Sequence, residues 1–229
     1  MDCPNGTKPP QLKKVQAGEL GGTIRLYRPE PTVSFGQRDV RLPGFARAVE
    51  LCHEHGFAPV VRKAGGRAAA YHRGSLVLDH LEPHSDTMMG SLPRFRLFGT
   101  LIADAMVRAG VPAAMGEIPG EYCAGEYSIN GVHPLGLGHH IKLLGTAQRV
   151  ISGAWLFSSS IVVEDGAAIR NVLTDVYAAL ELDWRPETAG AANDLVPNVT
   201  VNDIAQALAE QYAEYVDLSE GSWPDLGVS

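Results

Sequence analysis

The chain has 229 residues, of which 45% are hydrophobic and 20% are charged, the usual composition of one large globular α/β domain. Its formal net charge of −7 argues against nucleic acid or an anionic membrane as the main partner. Because it lacks an apolar run of transmembrane length, an N-terminal apolar signal segment and enough cysteines for a disulfide framework, we expect a cytoplasmic protein.

The first half of the chain predicts short strands separated by turns, with one helix. Residues 1–20 are polar and proline-rich, so we expect a loose lead-in to a single domain over residues 21–229. "TIRLYRP" and "TVSFGQ" alternate in polarity and predict two short strands. "PGFARAVELCHEHG" has helical spacing of its apolar residues and ends at Gly56. "APVVRKAGGRAAAYHRGSLVLDHL" then predicts three strands joined by a glycine turn and a second short turn.

The second half predicts three amphipathic helices and a long hairpin. "PRFRLFGTLIADAMVRAG" is the strongest helical pattern, and "HIKLLGTAQRV" with "AWLFSSSIVVE" predicts a hairpin that turns near Ser152–Gly153. "AAIRNVLTDVYAALEL" and "VNDIAQALAEQYAEY" predict the last two helices, the second with Thr200 as N-cap. Strands and helices mix without a strict βαβ alternation. We therefore expect an α/β (α+β) fold with a mixed, mainly antiparallel sheet and packed helices.

Cys123, in "EYCAGEYSIN", is a candidate for a buried side chain, a metal ligand or a nucleophile. Together with His133, His139 and His140 it supplies residue types that bind zinc, but the spacing matches no closed zinc motif. The sequence therefore predicts no metal site. Cys52, by contrast, lies on the apolar side of a predicted helix and is expected in the core.

A glycine pair between arginines marks a second candidate site, in "VVRKAGGRAAAYHRGS". Gly65 and Gly66 allow close backbone approach and free amide groups, while Arg62 and Arg67 supply planar sets of donors for an anion or a carboxyl-derived oxygen. A plain hairpin turn with solvated arginines is the alternative.

Lysine usage marks a third candidate. The chain has fourteen arginines and five lysines, and Lys142 is the only lysine after position 63. An ammonium close to the Cys123 thiol would favour the thiolate, and with glycine-turn amides it could hold the oxyanion of an acyl-transfer reaction. The alternative is a lysine that reaches from the strand to water.

These segments resemble the lipoate-protein ligase and octanoyltransferase superfamily, whose catalytic domain is related to that of biotin protein ligase, over about residues 23–215. The similarity lies in "RPEPTVSFGQRD", "VVRKAGGRAAAYHRGSL" and "IKLLGTAQRVISGAWLFSSSIVV". It implies an acyl and carboxyl binding site at Arg62, Gly65, Gly66, Arg67 and His72. It also implies that Lys142 is the active-site lysine, followed by Gly145 and Gln148.

Within the superfamily, "EYCAGEYSING" is most similar to the cysteine-dependent octanoyltransferases, which implies that Cys123 is the nucleophile. The sequence departs from that pattern in three places. Ala124 replaces the usual proline, "VHPLGLGHH" lengthens the segment before Lys142, and His72 is followed by arginine where ligases usually have aspartate. The extra length before Lys142 leaves open how Cys123 and Lys142 are placed relative to each other.

The resemblance implies transfer of an octanoyl or lipoyl group through a Cys123 thioester to a lysine of a lipoyl-domain protein. Expected partners are the glycine-cleavage H protein, E2 subunits or acyl carrier protein, and no cofactor is required. One alternative is an ATP-dependent lipoate-protein ligase, which would use ATP and Mg, with Lys142 on the adenylate phosphate and Cys123 a bystander. Another is a non-catalytic acyl-binding relative.

Overall fold

Two sheets with a cavity between them form the frame of the protein. The computed structural model describes residues 10–83, 90–132 and 140–216. In this part of the chain a six-stranded sheet has the order β1-β5-β9-β8-β7-β6, with all pairs antiparallel. A three-stranded sheet has the order β3-β2-β4, in which β2 runs parallel to β3 and antiparallel to β4. The strands are β1 Thr23–Tyr27, β2 Thr32–Phe35, β3 Ala58–Val61, β4 Ala69–Tyr71, β5 Ser75–Pro83, β6 Ala113–Met115, β7 Ile129–Val132, β8 His140–Ile151 and β9 Ala154–Val162.

Helices pack against both sheets. They are α1 Pro10–Gln16, α2 Phe45–Glu54, α3 Ser91–Arg108, α4 Gly166–Ala179, α5 Ala192–Leu195 and α6 Val201–Ala213. α3 and α6 pack on the large sheet around Phe98, Leu78 and Phe157. α2 and α4 pack on the small sheet, where Cys52 and Phe35 are buried. The prediction that Cys52 belongs to the core is confirmed.

Most predicted elements are present close to their expected limits. α2 ends before Gly56 and α3 before Gly110, and both glycines have positive φ angles of 77° and 83°. β8 and β9 form the expected hairpin around Gly153, and the Thr200 side chain caps α6. The mixed, mainly antiparallel sheet with packed helices is therefore confirmed.

Two regions differ from the prediction. Residues 10–16 of the expected loose lead-in form α1, because Leu12 and Val15 are buried against Leu81 and Leu156 of the large sheet. The short strands β6 and β7 were not expected, because they form by pairing with each other and with β8, which local sequence patterns do not reveal. Cys3 lies outside the described residues, and the single domain over 21–229 stays a prediction.

None of the helices in the described ranges is both long and apolar enough to cross a membrane.

Candidate active site

Arg62 holds the glycine turn that follows β3. Its guanidinium donates from Nε to the carbonyl oxygen of Gly65 at 3.1 Å and from Nη2 to that of Arg67 at 2.5 Å. Nη1 donates to the carbonyl oxygen of Ser34 on the neighbouring strand β2. One arginine therefore fixes both sides of the turn and links it to the small sheet. It can do so because its donors are arranged in a plane, an arrangement that lysine lacks.

Gly66 sits where no side chain fits. Its φ angle is 100°, and a Cβ atom there would lie 2.7 Å from Sγ of Cys123 and 2.6 Å from Nη2 of Arg62. The carbonyl oxygen of Gly66 in turn approaches Gly36, where an added Cβ would lie only 1.9 Å away. Two glycines thus let the turn lie directly against the cysteine and against the end of β2.

The sulfur of Cys123 faces the glycine turn. Sγ accepts a hydrogen bond from the backbone N–H of Arg67 at 3.2 Å and lies 3.6 Å from Nη2 of Arg62. One neutral donor and one cation therefore point at the position where a thiolate would carry its charge. Cys123 is partly exposed and is one of the residues that line the cavity.

The backbone of Cys123 is held in an unusual conformation. Its φ angle is 44°, in the left-handed region that costs a non-glycine residue roughly 1–2 kcal/mol. Its N–H donates to the Tyr177 hydroxyl at 2.8 Å, and that hydroxyl donates to the carbonyl oxygen of Ala68 at 2.9 Å. Tyr177 on α4 thus joins the loop that carries Cys123, which we call the cysteine loop, to Ala68 just before β4. Burial raises the pKa of Tyr177, with the nearby Cys123 charge adding to it, so the hydroxyl stays protonated.

Lys142 anchors the cysteine loop from below. Its side chain is 1% exposed, and Nζ donates to the carbonyl oxygens of Tyr122 and Cys123, each at 2.9 Å, and to Oε1 of Glu121 at 3.2 Å. Glu121 is fully buried, and its Oε1 also accepts from the Ser128 hydroxyl at 2.5 Å and the Gly125 N–H at 3.1 Å. A buried ion pair supported by these neutral donors fixes the loop that carries the nucleophile.

This arrangement differs from the expected role of Lys142. An ammonium has three donors, and all three are used by Glu121, Tyr122 and Cys123 oxygens. The structure brings Lys142 to the Cys123 backbone rather than to its sulfur, because the loop passes over the end of the lysine side chain. In this structure Lys142 contacts the backbone of Cys123, while Arg62 and the Arg67 amide are the groups beside the sulfur.

Arg67 and His72 also have roles other than those expected. The Arg67 side chain turns away from the cavity and donates to Oδ1 of the buried Asp39 at 3.0 Å, so only its backbone serves the sulfur. His72 is absent from the cavity lining; its Nδ1 accepts from the Gly74 N–H at 2.8 Å, and Nε2 lies 3.1 Å from the Asp165 carbonyl oxygen. Because the Gly74 donor requires an unprotonated Nδ1, His72 supports the β4–β5 turn as the Nε2–H tautomer.

Gly145 and Gln148 both line the cavity, from opposite faces of β8. Gly145 lies beside the Lys142 side chain, where an added Cβ would be 3.8 Å from Nζ. Gln148 is at the rim, and its Oε1 accepts from Nε of Arg94 on α3 at 3.0 Å. Beyond Leu144 the outer edge of β8 has no partner strand in the described part of the sheet, so the cavity extends around this edge.

The cavity itself has a volume of about 680 Å³ and lies between the two sheets. Cys123, Arg62 and the glycine pair are at one end, and Lys142 lies beneath them. Its size falls within the range of roughly 300–1,000 Å³ that is usual for small-molecule sites. A substrate carbonyl at Sγ therefore has room for an attached chain.

A zinc site finds no support among the described residues, where no group of three potential ligands is close enough to hold a metal. His140 pairs through Nδ1 with Oδ1 of Asn130 at 2.9 Å instead. His133 and His139, like most of the "VHPLGLGHH" segment, lie outside the described residues.

Sequence reasoning missed three residues of this site. Glu121 stands two positions before the cysteine, but its role depends on Lys142, whose position relative to the loop only the fold decides. Tyr177 shows no sequence signal at all, because it lies 54 residues from Cys123. Asp79 had a visible signal: it is a lone acid in the apolar strand "SLVLDHL", and it lines the cavity.

Comparison with known proteins identifies related catalytic domains. The family model described as the lipoyl protein ligase A/B catalytic domain matches residues 11–213. An octanoyl-[GcvH]:protein N-octanoyltransferase from Anoxybacillus flavithermus is 29% identical over 160 residues, or 69% of this chain and 54% of the relative. A lipoyl-[GcvH]:protein N-lipoyltransferase from Listeria monocytogenes is 25% identical over 217 residues, or 92% of this chain and 77% of the relative. The chain thus spans about half the length of the first of these relatives.

Solved structures show the same fold. A lipoate-protein ligase A bound with ATP superposes with a TM-score of 0.67 at 18% identity, covering 96% of this chain and 86% of the other. A protein from T. acidophilum with bound lipoic acid gives a TM-score of 0.65 at 17% identity, covering 95% and 85%. At such low identity these matches establish the architecture and leave the chemistry to the residues of the site.

Proposed function

Because this chain belongs to the lipoyl protein ligase A/B catalytic domain family, we propose that it is an acyltransferase that moves an octanoyl or lipoyl group through a thioester on Cys123. The observation that carries the proposal is Cys123 itself: the residue is partly exposed and lines the cavity, and its sulfur faces the Arg67 amide and the Arg62 guanidinium. Relatives whose names pair GcvH with octanoyl or lipoyl transfer support the same chemistry.

The first half-reaction loads the enzyme. The Cys123 thiol gives up its proton, Sγ bonds to the acyl carbonyl carbon, and the bond from that carbon to the donor breaks as the donor takes a proton. Arg62 and the Arg67 N–H stabilise the thiolate before attack. Lys142 and Glu121 keep the loop in place, so the sulfur does not have to be repositioned during the reaction.

The second half-reaction transfers the acyl group. The ε-amine of a lysine on the acceptor attacks the thioester carbon, an amide bond forms, the C–S bond breaks, and Cys123 returns as a thiol. Acceptors of this kind are lipoyl domains, including the glycine-cleavage H protein and E2 subunits, and an acyl carrier protein is a further candidate donor. With a thioester donor the overall transfer to an amine is downhill, so we propose that it needs no nucleotide or other cofactor and takes place in the cytoplasm.

The direct test is to mix the protein with octanoylated H protein or octanoyl-acyl carrier protein, without ATP, and to measure its intact mass. We expect a single octanoyl adduct on Cys123 that disappears in Cys123→Ala. Cys52→Ala is the matched control: this second thiol is fully buried in the core, so its loss should leave the adduct in place. If no carrier gives an adduct, or if Cys123→Ala keeps it, the proposed mechanism is wrong.

An ATP-dependent ligase is the second candidate, and one feature favours it. A polar recess of about 660 Å³ adjoins the cavity, and Lys63 and Arg149 line it with positive charge that suits a polyphosphate. Lys142, the residue expected on the adenylate, has all three donors engaged by the Cys123 loop. Exchange of pyrophosphate into ATP that depends on octanoate or lipoate would establish the ligase and displace the transferase.

A further inference from the structure

The floor of the cavity is formed by two rows of residues that cross the large sheet. Strand register places Gly145, Ser160, Val77 and Tyr27 side by side on one face, and we name them the first floor row. Ala147, Ser158, Asp79 and Arg25 lie side by side on the same face and form the second floor row. Gly145 is next to Lys142, so the first floor row begins below the cysteine loop.

Apart from Val77, Ala147 and Gly145, the residues of these rows are polar. A polar floor is unfavourable for binding a plain hydrocarbon chain. The Ser160 hydroxyl is buried and has no hydrogen-bond partner among the described residues. The Asp79 side chain is 14% exposed; its Oδ1 accepts from the Ser158 hydroxyl at 2.7 Å. Its Oδ2 forms a long ion pair with Nε of Arg25 at 4.0 Å. Buried groups of this kind lose free energy unless a partner satisfies them.

Two phenols add to the polar lining: Tyr27 in the first floor row, and Tyr71 on β4 of the opposite wall. Tyr27 and Tyr71 both line the cavity. The pKa of each is raised, mainly by burial and in part by the charge of Asp79, so both hydroxyls stay protonated; hydrogen bonds of Tyr27 with Arg25 and of Tyr71 with Ser34 oppose the rise. Burial also raises the pKa of Asp79, against smaller opposing effects of Ser158 and Arg25. Hydroxyl and carboxyl groups therefore converge on one region of the cavity.

From β8 to β5, the floor rows span about the length of a medium-length acyl chain. Two steps between strands at about 4.8 Å each place β5 roughly 10 Å across the sheet from β8. Carbon–carbon bonds of about 1.5 Å at near-tetrahedral angles give an extended eight-carbon chain a length of roughly 9 Å. One row beyond Asp79, Leu81 and Leu156 pack against α1, which limits the cavity on that side.

We infer that the cavity selects an acyl group that has a hydrogen-bonding substituent, such as a hydroxyl, near the far end of a chain of about eight carbons, bound by Asp79 with Ser158 and Ser160. This inference rests on the proposed acylation of Cys123 and names its substrate class. A hydroxyl there donates to Oδ2 of Asp79 and accepts from a tyrosine or serine hydroxyl. A plain octanoyl chain leaves the Ser160 hydroxyl without a partner and brings no donor to Oδ2 of Asp79, because its terminal methyl group offers no hydrogen bond.

The test compares pantetheine thioesters of octanoic and 8-hydroxyoctanoic acids as acyl donors to the wild-type protein. The initial rate of adduct formation on Cys123 is measured by intact mass. We expect the hydroxylated chain to react about tenfold faster, the value of one net hydrogen bond. Equal rates, or a faster reaction of the octanoyl thioester, would overturn the inference while leaving Cys123 acylation in place. If neither thioester gives an adduct, the proposed function itself fails, and this inference falls with it.

Variants of the floor rows sharpen the test. Asp79→Leu should reverse the preference in favour of octanoyl, and Ser158→Ala should reduce it. Ser152→Ala is the matched control, because Ser152 is exposed in the turn between β8 and β9 and is not part of the cavity lining, so the rate ratio should stay as in the wild type. An unchanged ratio in a folded Asp79→Leu would contradict the inference.

A binding measurement covers the case in which Asp79→Leu does not fold. Asp79→Asn keeps the size and polarity of the side chain, and it can be combined with Cys123→Ala to separate binding from reaction. Thermal shift with free 8-hydroxyoctanoic acid should exceed that with octanoic acid in Cys123→Ala, and the excess should shrink when Asp79→Asn is added. Equal shifts for the two acids in Cys123→Ala would count against the polar site.

Discussion

The two faces of the large sheet are built from neighbouring residues but serve opposite purposes. The face under α3 and α6 is closed by large apolar and aromatic side chains, with Phe98 and Phe157 at its centre. The other face has glycine, alanine, serine and aspartate at the corresponding positions, and the cavity lies over it. Stability is concentrated on the first face, and the second keeps space and polar groups for a ligand.

The comparison extends to the backbone. Elsewhere in the described chain, the non-glycine residues with positive φ angles flank helices: Asp165 caps α4, Glu181 follows α4 and Asn198 precedes α6. Beside the cavity, Cys123 itself has a positive φ angle and is held there by Tyr177 and Lys142. Strain of this kind persists only where surrounding contacts fix it, and such positions cluster at functional sites.

The largest expected difference between the two faces is in packing energy. Leu78→Ala should lower the free energy of unfolding by about 2–5 kcal/mol, because Leu78 is fully buried on the helical face and the change leaves a void. Its neighbour Val77 borders the existing cavity, so Val77→Ala should cost about 1.5 kcal/mol or less. Urea denaturation of both variants measures the difference, and equal losses would show that the cavity face is packed as tightly as the other.

A second prediction concerns the glycine turn at the sulfur. Gly66→Ala places a methyl group against Cys123 and Arg62, at a φ angle of 100° that alanine rarely adopts. The Cys123 sulfur or the turn must then shift, and a displacement of about 1 Å at a reactive group can cost roughly 100-fold in rate. We therefore expect about that loss in the rate of Cys123 acylation. In Gly65→Ala, where an added Cβ meets no atom within 4 Å, the loss should be much smaller. Similar rates for both variants would mean that the close approach of Gly66 to the sulfur has no role in the reaction.

The smallest expected effect is the pH dependence of two aspartates. The pKa of Asp79 is raised by burial above the ordinary 3.8, so the folded state holds its proton longer than the unfolded chain. Stability is therefore lost as pH rises from about 3.8 through the folded pKa, and Asp79→Asn should gain stability relative to wild type over that rise.

Asp203 provides the control of opposite sign. Hydrogen bonds from Thr200 lower its pKa, so its contribution is present above 3.8 and is lost as pH falls through the folded pKa. The difference between wild type and Asp203→Asn should therefore grow as pH rises. Urea unfolding across this pH range measures both variants, and parallel curves for wild type and Asp79→Asn would contradict the assignment.

Local patterns in the sequence were enough for most secondary structure. The helices ending at Gly56 and Gly110 and the hairpin around Gly153 were predictable, because periodicity and glycine stops depend on residues close along the chain. The same holds for Thr200, which caps the helix it precedes. α1 and strand β6 were not predictable, since their short segments form only through packing against distant strands.

The sequence alone was enough to identify the candidate residues of the site. An isolated lysine, a glycine pair and a cysteine in a distinctive segment can all be recognised without a structure. Only the tertiary structure decided their roles. It placed Arg62 rather than Lys142 beside the sulfur, assigned His72 to a turn, and put Asp79 in the cavity floor. The physical reason is that hydrogen bonds act over about 3 Å between groups that lie tens of residues apart, so their partners exist only after the sheets have formed.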